Sequence, residues 1–208
     1  MTCIHEWWKS MAGERFWLGV PGHDERCEVL ATSRGPWRED PNPIEPLVTR
    51  VNDGDAVFLF DEAREAIVAW SIARGRVRKR NLFWQEGARS PHPDSAEPTL
   101  QSSWSIALSR STPLAAPVTL AEIARVQWDL FPALRALEDD VGEPLYYPFS
   151  MGNRHASSLL PGGVFKLPAL FVENFDSLAE VSRRMSWAAV PPFVLERTEA
   201  CSHAGALA

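Results

Sequence analysis

The stretch VNDGDAVFLFDEAREAIVAWSIARG, residues 51–75, decides the fold of this chain. Its apolar run at residues 56–60 predicts a buried strand, preceded by the Asp-Gly-Asp turn at residues 53–55. A second apolar run, residues 66–72, follows after the charged residues 61–65. Two apolar runs joined by a short polar turn predict a β-hairpin.

Outside the hairpin, the sequence predicts a mixture of strands and helices. ERFWLGV at residues 14–20 predicts the first strand. A Thr119-Leu120-Ala121-Glu122 capping box predicts a long helix that ends at Gly142, with a kink or two abutting helices at Pro132. The other predicted strands cover residues 77–84, 104–108 and 163–167, and residues 29–31 form either a short strand or a loop. The other predicted helices cover residues 4–12, a stretch opened by Pro168, and 178–187. This order predicts an α+β protein.

Length and composition indicate one folded unit over residues 1–190 and a tail at residues 191–208. The chain has 208 residues, of which 45% are hydrophobic and 23% charged, as in ordinary globular proteins. No apolar run approaches the roughly 20 residues that a membrane helix needs, and no secretory signal precedes the first strand. The three cysteines are widely spaced and form no CxxC pair, so we expect reduced thiols in a cytoplasmic protein rather than a zinc site.

The charge of the chain is acidic overall and basic in one place. A net charge of −6 argues against a protein that coats nucleic acid nonspecifically. Five cations nevertheless fall within seven residues with no acid among them: Arg74, Arg76, Arg78, Lys79 and Arg80. This run is either a solvated strand end or a rim that contacts phosphates. The second interpretation is favoured because clustered like charges repel one another unless an anion relieves them.

Motifs for catalysis are missing from the sequence. There is no GxSxG or HExxH motif, no GxxxxGK[ST] or GxGxxG phosphate loop, and no pair of histidines at metal-binding spacing. His23 and His155 remain as candidate acids or bases if the protein is an enzyme. The sequence therefore predicts a binding domain without catalytic residues, metal or cofactor.

Tryptophan is the stronger functional signal. The chain has nine tryptophans and two tyrosines, and several indoles fall at predicted strand ends or in loops, namely Trp17, Trp37, Trp70, Trp84 and Trp104. Indole faces stack on nucleobases, although they also fill protein interiors. Trp70 precedes Ser71 and Trp84 precedes Gln85, so a polar group adjoins each aromatic wall. We expect at least two of these tryptophans to line a pocket.

The segments resemble the PUA-like superfamily in its EVE/ASCH/SRA-type branch. They are most similar to the N-terminal reader domain of type IV, modification-dependent HNH restriction proteins, which recognises modified DNA. The matching segments are EWW (6–8), ERFWLGV (14–20), GDAVFLFD (54–61), AIVAWS (66–71), Trp104, PVTLAEI (117–123), GEPLYYPF (142–149) and KLPALFVENF (166–175). The resemblance implies a PUA-like twisted β-barrel of about five to six strands flanked by helices.

The resemblance also implies a function and a set of site residues. The expected ligand is double-stranded DNA with a modified cytosine, most simply 5-methylcytosine, whose base is flipped into an aromatic cage. The implied base-binding residues are Trp17, Phe60, Asp61, Trp70, Ser71, Trp84 and Trp104. The implied phosphate-binding residues are Arg74, Arg76, Arg78, Lys79, Arg80 and Arg89.

The chain departs from the family at three places. Residues 19–23 differ from the segment that usually follows the first strand, and Leu59-Phe60 replaces a common His-Tyr pair. No HNH motif follows Leu178, so a nuclease domain is expected only in a longer protein. Three alternatives stay open: an RNA-binding module, a small ASCH-type hydrolase or a nuclease using His23 or His155, and a protein-interaction domain with a tryptophan surface.

Overall fold

The computed structural model describes residues 6–11, 13–20, 29–33, 47–84, 99–149 and 163–188, with side chains at all of these except 29–33, 80–84, 99–103, 187 and 188. Several predicted features lie outside the described residues: the tail at 191–208, Trp37, Arg89, His23 and His155.

The described strands form one seven-stranded sheet. They are β1 (Phe16–Gly19), β2 (Val29–Ser33), β3 (Ala56–Asp61), β4 (Ala66–Trp84), β5 (Thr99–Leu108), β6 (Thr112–Thr119) and β7 (Val164–Leu167). Their order is β2-β5-β4-β3-β1-β7, and β6 also pairs with β4. The pair β1–β3 is parallel and the other pairs are antiparallel, so the sheet is mixed.

The hairpin predicted from residues 51–75 is confirmed. β3 and β4 pair antiparallel, with Phe58 opposite Trp70. Asp61 stabilises the connecting turn, because its Oδ1 accepts hydrogen bonds from the backbone N–H groups of Ala63 and Arg64 at 2.9 and 3.1 Å. A carboxylate that accepts from the two following amides is a common way to close such a turn.

The strand β4 differs from its prediction, since the sequence indicated two strands where the structure has one of 19 residues. The first part of β4 pairs with β3 and β6, and the part from Ala73 onward pairs with β5. The partner β6 was not predicted, because Pro113 and Pro117 argue against a strand. Both differences, the single long strand β4 and the unpredicted strand β6, arise because pairing with neighbouring strands outweighs local sequence propensity.

The helices lie around this sheet and complete an α+β fold, as predicted. The helix α1 (Leu120–Val141) has the expected capping box and ends at Gly142 in the left-handed conformation, with φ 68°. It continues through Pro132 as one helix instead of breaking there. The helices α2 (Ala169–Glu173) and α3 (Asp176–Ala188) follow β7.

The remaining helical segments are short. The helix predicted at residues 4–12 is a 3₁₀ helix at Trp7–Ser10, and a second 3₁₀ helix lies at Leu47–Arg50. Among the described helices, none has the length and apolar character to cross a membrane.

The two faces of the sheet carry different side chains, since neighbouring residues of a strand point to opposite faces. One cross-strand row runs from Lys166 through Trp17 and Val57 to Ser71. The next row runs through Leu18 and Phe58 to Trp70, on the opposite face. This alternation decides which of the predicted site residues can share a pocket.

Candidate nucleic-acid interface

The basic run lies in the part of β4 that pairs with β5. The side chains of Arg74, Arg76, Arg78 and Lys79 are exposed, and within the described part of the chain none of the four forms an ion pair. The side chain of Arg80 is outside the described set. Their charge attracts phosphate, and because Arg78 and Lys79 are consecutive in the strand, these two side chains point to opposite faces of the sheet.

Among the described strands, only β5 pairs with this part of β4. The pairing runs from Arg74 to Trp84, and no described strand pairs with the other edge. Charged side chains on an open edge also prevent the edge from pairing with another chain. Both roles need exposed charge, but only phosphate binding needs that charge to be positive.

A half-buried indole adjoins the basic run. Trp104 on β5 lies directly opposite Lys79 on β4, and the Lys79 Nζ is 5.3 Å from the centre of the Trp104 ring. Such a contact is a cation–π interaction. Among the tryptophans whose side chains the structure describes, Trp104 is therefore the one that contacts a predicted phosphate-binding residue in this way.

Trp70 and Ser71 lie on opposite faces of β4. Trp70 is half-buried and lies between Phe58 and Thr112 on the neighbouring strands. Ser71 is buried, and its hydroxyl donates to the backbone oxygen of Ser109 at 2.5 Å. The sequence placed them together as an aromatic wall and a polar neighbour, and the pleat of the strand separates them.

Trp17 and Phe60 lie in the interior. Trp17 has 0% exposure, and its Nε1 donates to Asp55 Oδ2 at 2.9 Å. Phe60 is buried in the same core, while Asp61 is half-buried and engaged in its turn. The structure thus brings Lys79 and Trp104 together but separates Trp17 from Trp70. The side chain of Trp84 lies outside the described set, so its role stays a prediction.

A buried ionic network, which sequence reasoning missed, lies beneath Trp17. Lys166 on β7 has 0% exposure, and its Nζ donates to Glu14 Oε2 at 2.9 Å and to the backbone oxygens of Phe16 and Leu167. The same Nζ lies 5.4 Å from the ring centre of Trp7 and 5.6 Å from that of Trp17. A lysine inside the apolar segment VFKLPALF was the available signal for this network.

The network has a definite electrostatic character. Burial lowers the pKa of Lys166, while the adjacent carboxylate of Glu14 acts in the opposite direction. Glu14 also accepts from the backbone N–H of Ala169 at 2.9 Å, which ties α2 to the start of β1. All three Lys166 donors are satisfied internally, so this cation supports the fold and is not available to a ligand.

Three buried donors near this core have no acceptor in the described structure: Trp7 Nε1, Trp8 Nε1 and Tyr147 Oη. Burial also raises the pKa of Tyr147. No group of three histidine, cysteine, aspartate or glutamate side chains with metal-binding geometry occurs in the described ranges.

No protein-family model and no curated protein matches the chain. Its fold is similar to an ASCH protein. That structure is a mutant form of ZmASCH from Zymomonas mobilis, with 8% identity and a TM-score of 0.40 over 81% of this chain and 97% of that one.

Two further solved structures show a similar likeness. Rpa0253 from Rhodopseudomonas palustris has 14% identity and a TM-score of 0.35 over 85% of this chain and 96% of its own. The N-terminal domain of Staphylothermus marinus McrB has 11% identity and a TM-score of 0.35 over 61% of this chain and 84% of its own. At such TM-scores these likenesses assign no residue a role.

Proposed function

We propose that this chain binds nucleic acid through the edge of β4, and that its ligand is double-stranded DNA with a modified base, first of all 5-methylcytosine. The observation that carries the proposal is the set of exposed cations Arg74, Arg76, Arg78 and Lys79. They have no ion-pair partner in the described structure, and Lys79 lies over the ring of Trp104. No catalytic step is part of the proposal, and any cleavage would belong to a separate domain such as an HNH nuclease.

The acidic net charge limits this contact to a small area. With a net charge of −6, the chain as a whole repels DNA, so the attraction must come from local clusters of cations such as these four. Each phosphate contact contributes about 0.9 to the slope of log affinity against log salt. We therefore expect these four cations to contribute about 4 to the magnitude of the slope, far less than the slope of a protein that coats DNA.

Recognition of the base is assigned to the indoles that retain exposed surface. Trp104 and Trp70 are half-buried, whereas Trp17 is fully enclosed. Stacking of one base on an indole contributes roughly 1–3 kcal/mol and does not distinguish the bases. Selectivity for a modified base then requires a polar or shape-selective group, for which Trp84 and Gln85 remain the candidates from the sequence.

The test is a binding series with matched duplexes. Fluorescence anisotropy would compare a duplex containing 5-methylcytosine with the same unmodified duplex over a range of salt concentrations. We expect tighter binding of the methylated duplex and a salt slope of the size given above. Equal binding of both duplexes would remove base recognition, and no binding at low salt would remove the nucleic-acid function altogether.

Trp104→Ala is the matched variant for the stacking role, with Trp128→Ala as its control. Trp128 lies on α1 with 64% exposure, so removing it costs little packing and changes an indole outside the β4 edge. We expect about a tenfold or greater loss of affinity for Trp104→Ala, in line with the stacking energy of one base, and no change for Trp128→Ala.

RNA is the second candidate ligand. The same cations contact phosphates without regard to the sugar, so the geometry of β4 suits RNA equally well. Competition of unlabelled RNA against the labelled methylated duplex at one salt concentration separates the candidates. Displacement by RNA at lower concentration than by methylated DNA would favour the RNA-binding module.

A further inference from the structure

The turn before β3 is fastened to β4 where the basic run begins. Two backbone hydrogen bonds join them, from Gly54 N–H to Ala73 oxygen at 2.9 Å and from Ala73 N–H to Asp55 oxygen at 2.8 Å. One side chain extends this ladder, since Asp53 Oδ1 accepts the backbone N–H of Gly75 at 2.6 Å. Asp53 therefore contacts the strand between two of the exposed arginines.

The contact falls on an irregular part of the strand. Arg74 pairs with Ala107 and Arg78 pairs with Ser105, so residues 75–77 of β4 lie opposite the single residue 106 of β5. Gly75 has φ +72°, a left-handed conformation that glycine adopts without strain. Bulged residues lose their partners in the ladder and need another anchor to hold one conformation. Asp53 provides an anchor of this kind.

Asp53 carries a negative charge at a surface that is proposed to bind phosphate. An exposed carboxylate beside cations that bind phosphate repels the ligand, so on charge alone it weakens binding. In the described structure it forms no ion pair with Arg74 or Arg76, and its oxygen is used by the Gly75 amide. A hydrogen bond from an amide to a charged acceptor is among the stronger ones in proteins.

We propose that Asp53 is a positioning residue for the phosphate-binding surface, which holds the β4 bulge so that Arg74 and Arg76 are presented on the exposed edge. This inference rests on the proposed nucleic-acid function and deepens it. The backbone that carries these two arginines is then ordered on folding rather than on binding.

Two substitutions of Asp53 separate positioning from charge. Asp53→Asn keeps an oxygen acceptor for Gly75 and removes the negative charge, whereas Asp53→Ala removes both. If Asp53 positions the bulge, Asp53→Ala weakens binding about fivefold or more, and Asp53→Asn binds as well as the unchanged protein or better. If Asp53 acts by charge alone, both variants bind more tightly by the same factor, which overturns the inference. Asp139→Ala, which removes an exposed acid from α1, is the control for net charge.

A second measurement tests the hydrogen bond between Asp53 and Gly75 without any ligand. Amide hydrogen exchange at Gly75, followed by NMR, reports the hydrogen bond to Asp53 directly. We expect faster exchange in Asp53→Ala and near-unchanged exchange in Asp53→Asn, while amides in the β3–β4 hairpin stay protected in both. Unchanged exchange in Asp53→Ala overturns the inference. Failure of the unchanged protein to bind any nucleic acid instead overturns the proposed function. The exchange result then still decides whether Asp53 holds the amide of Gly75.

Discussion

Two lysines of this protein lie over tryptophan rings in opposite environments. Lys166 is fully buried, lies over Trp7 and Trp17, and has a carboxylate and two backbone oxygens as acceptors. Lys79 is exposed on the edge of β4 and lies over Trp104, with no acceptor in the described structure. The ammonium group of Lys166 thus has a full set of hydrogen-bond acceptors, whereas that of Lys79 has none in the described structure.

The difference shows how burial separates a structural cation from a binding one. In the interior, removing a cation leaves its partner carboxylate without compensation in a medium of low dielectric constant. At the edge of β4, water solvates the cation and its removal changes stability little. A phosphate of the ligand provides a hydrogen-bond acceptor for the cations at this edge, which have none in the described structure. We therefore expect changes in the interior network to alter stability, and changes at the edge to alter binding.

The largest expected effect comes from Lys166→Ala. It leaves Glu14 buried and without its cation, so we expect a loss of about 3–5 kcal/mol in the free energy of unfolding. Urea denaturation measures this loss. The double variant Lys166→Met with Glu14→Gln removes both charges and should recover part of it. A loss below about 1 kcal/mol would show that Lys166 is solvated like Lys79 and would contradict its role as a buried structural cation.

Trp17→Phe tests the contribution of a buried indole. It removes the hydrogen bond from Nε1 to Asp55, and a bond to a charged acceptor contributes about 1.5–3 kcal/mol. Trp8→Phe is the control, because the Trp8 Nε1 has no acceptor in the described residues and its loss costs less. If Trp17→Phe changes the preference for methylated DNA while stability is retained, Trp17 lines the base pocket after all.

Charge reversal at the edge tests the other half of the comparison. Arg78→Glu with Lys79→Glu keeps a charged edge, so protection against aggregation remains, but it removes two phosphate contacts. We expect a tenfold or greater loss of DNA affinity and a salt slope smaller by about 2, with little change in thermal stability. Arg183→Glu with Arg184→Glu on α3 changes the net charge equally and should leave the salt slope unchanged. Equal losses in the two double variants would show a general charge effect.

The smallest effect lies outside both regions, in the capping box of α1. The backbone N–H of Thr119 donates to Glu122, and this hydrogen bond lowers the pKa of Glu122 below its ordinary value of 4.5. Because the folded-state pKa is the lower one, the stabilisation is present above about pH 4.5 and is lost as the pH falls through the folded pKa. Glu122→Gln should cost about 0.5–1 kcal/mol near neutral pH and nothing in strong acid, with DNA binding unchanged.

Local sequence predicted those parts of the fold that neighbouring residues decide. The β3–β4 hairpin follows from two apolar runs and a polar turn, and α1 follows from its capping box and Gly142. The basic run was found in the same way, since its charges are close together in the chain. The strand β6 was missed because its prolines oppose a strand locally, and pairing with β4 outweighs that preference.

The predicted site illustrates the same limit. Trp70 and Ser71 are neighbours in the sequence, so the sequence suggests one pocket, but β4 turns them to opposite faces. Trp17 looked like a wall of that pocket, but it is fully buried, with Trp8 and Lys166 against its ring. Composition identified the residue type, and only the register of the sheet decides which indoles retain an exposed face.

Local patterns were sufficient to predict the α+β class, the central hairpin, the first turn of the long helix and the position of the basic run, because each depends on residues within a few positions of one another. Long-range packing alone brings Lys166 to Glu14 across 152 positions, Asp53 to Gly75, and Trp104 rather than Trp17 to Lys79. Such contacts join residues that are distant in the chain, and no local pattern encodes the strand register that brings them together.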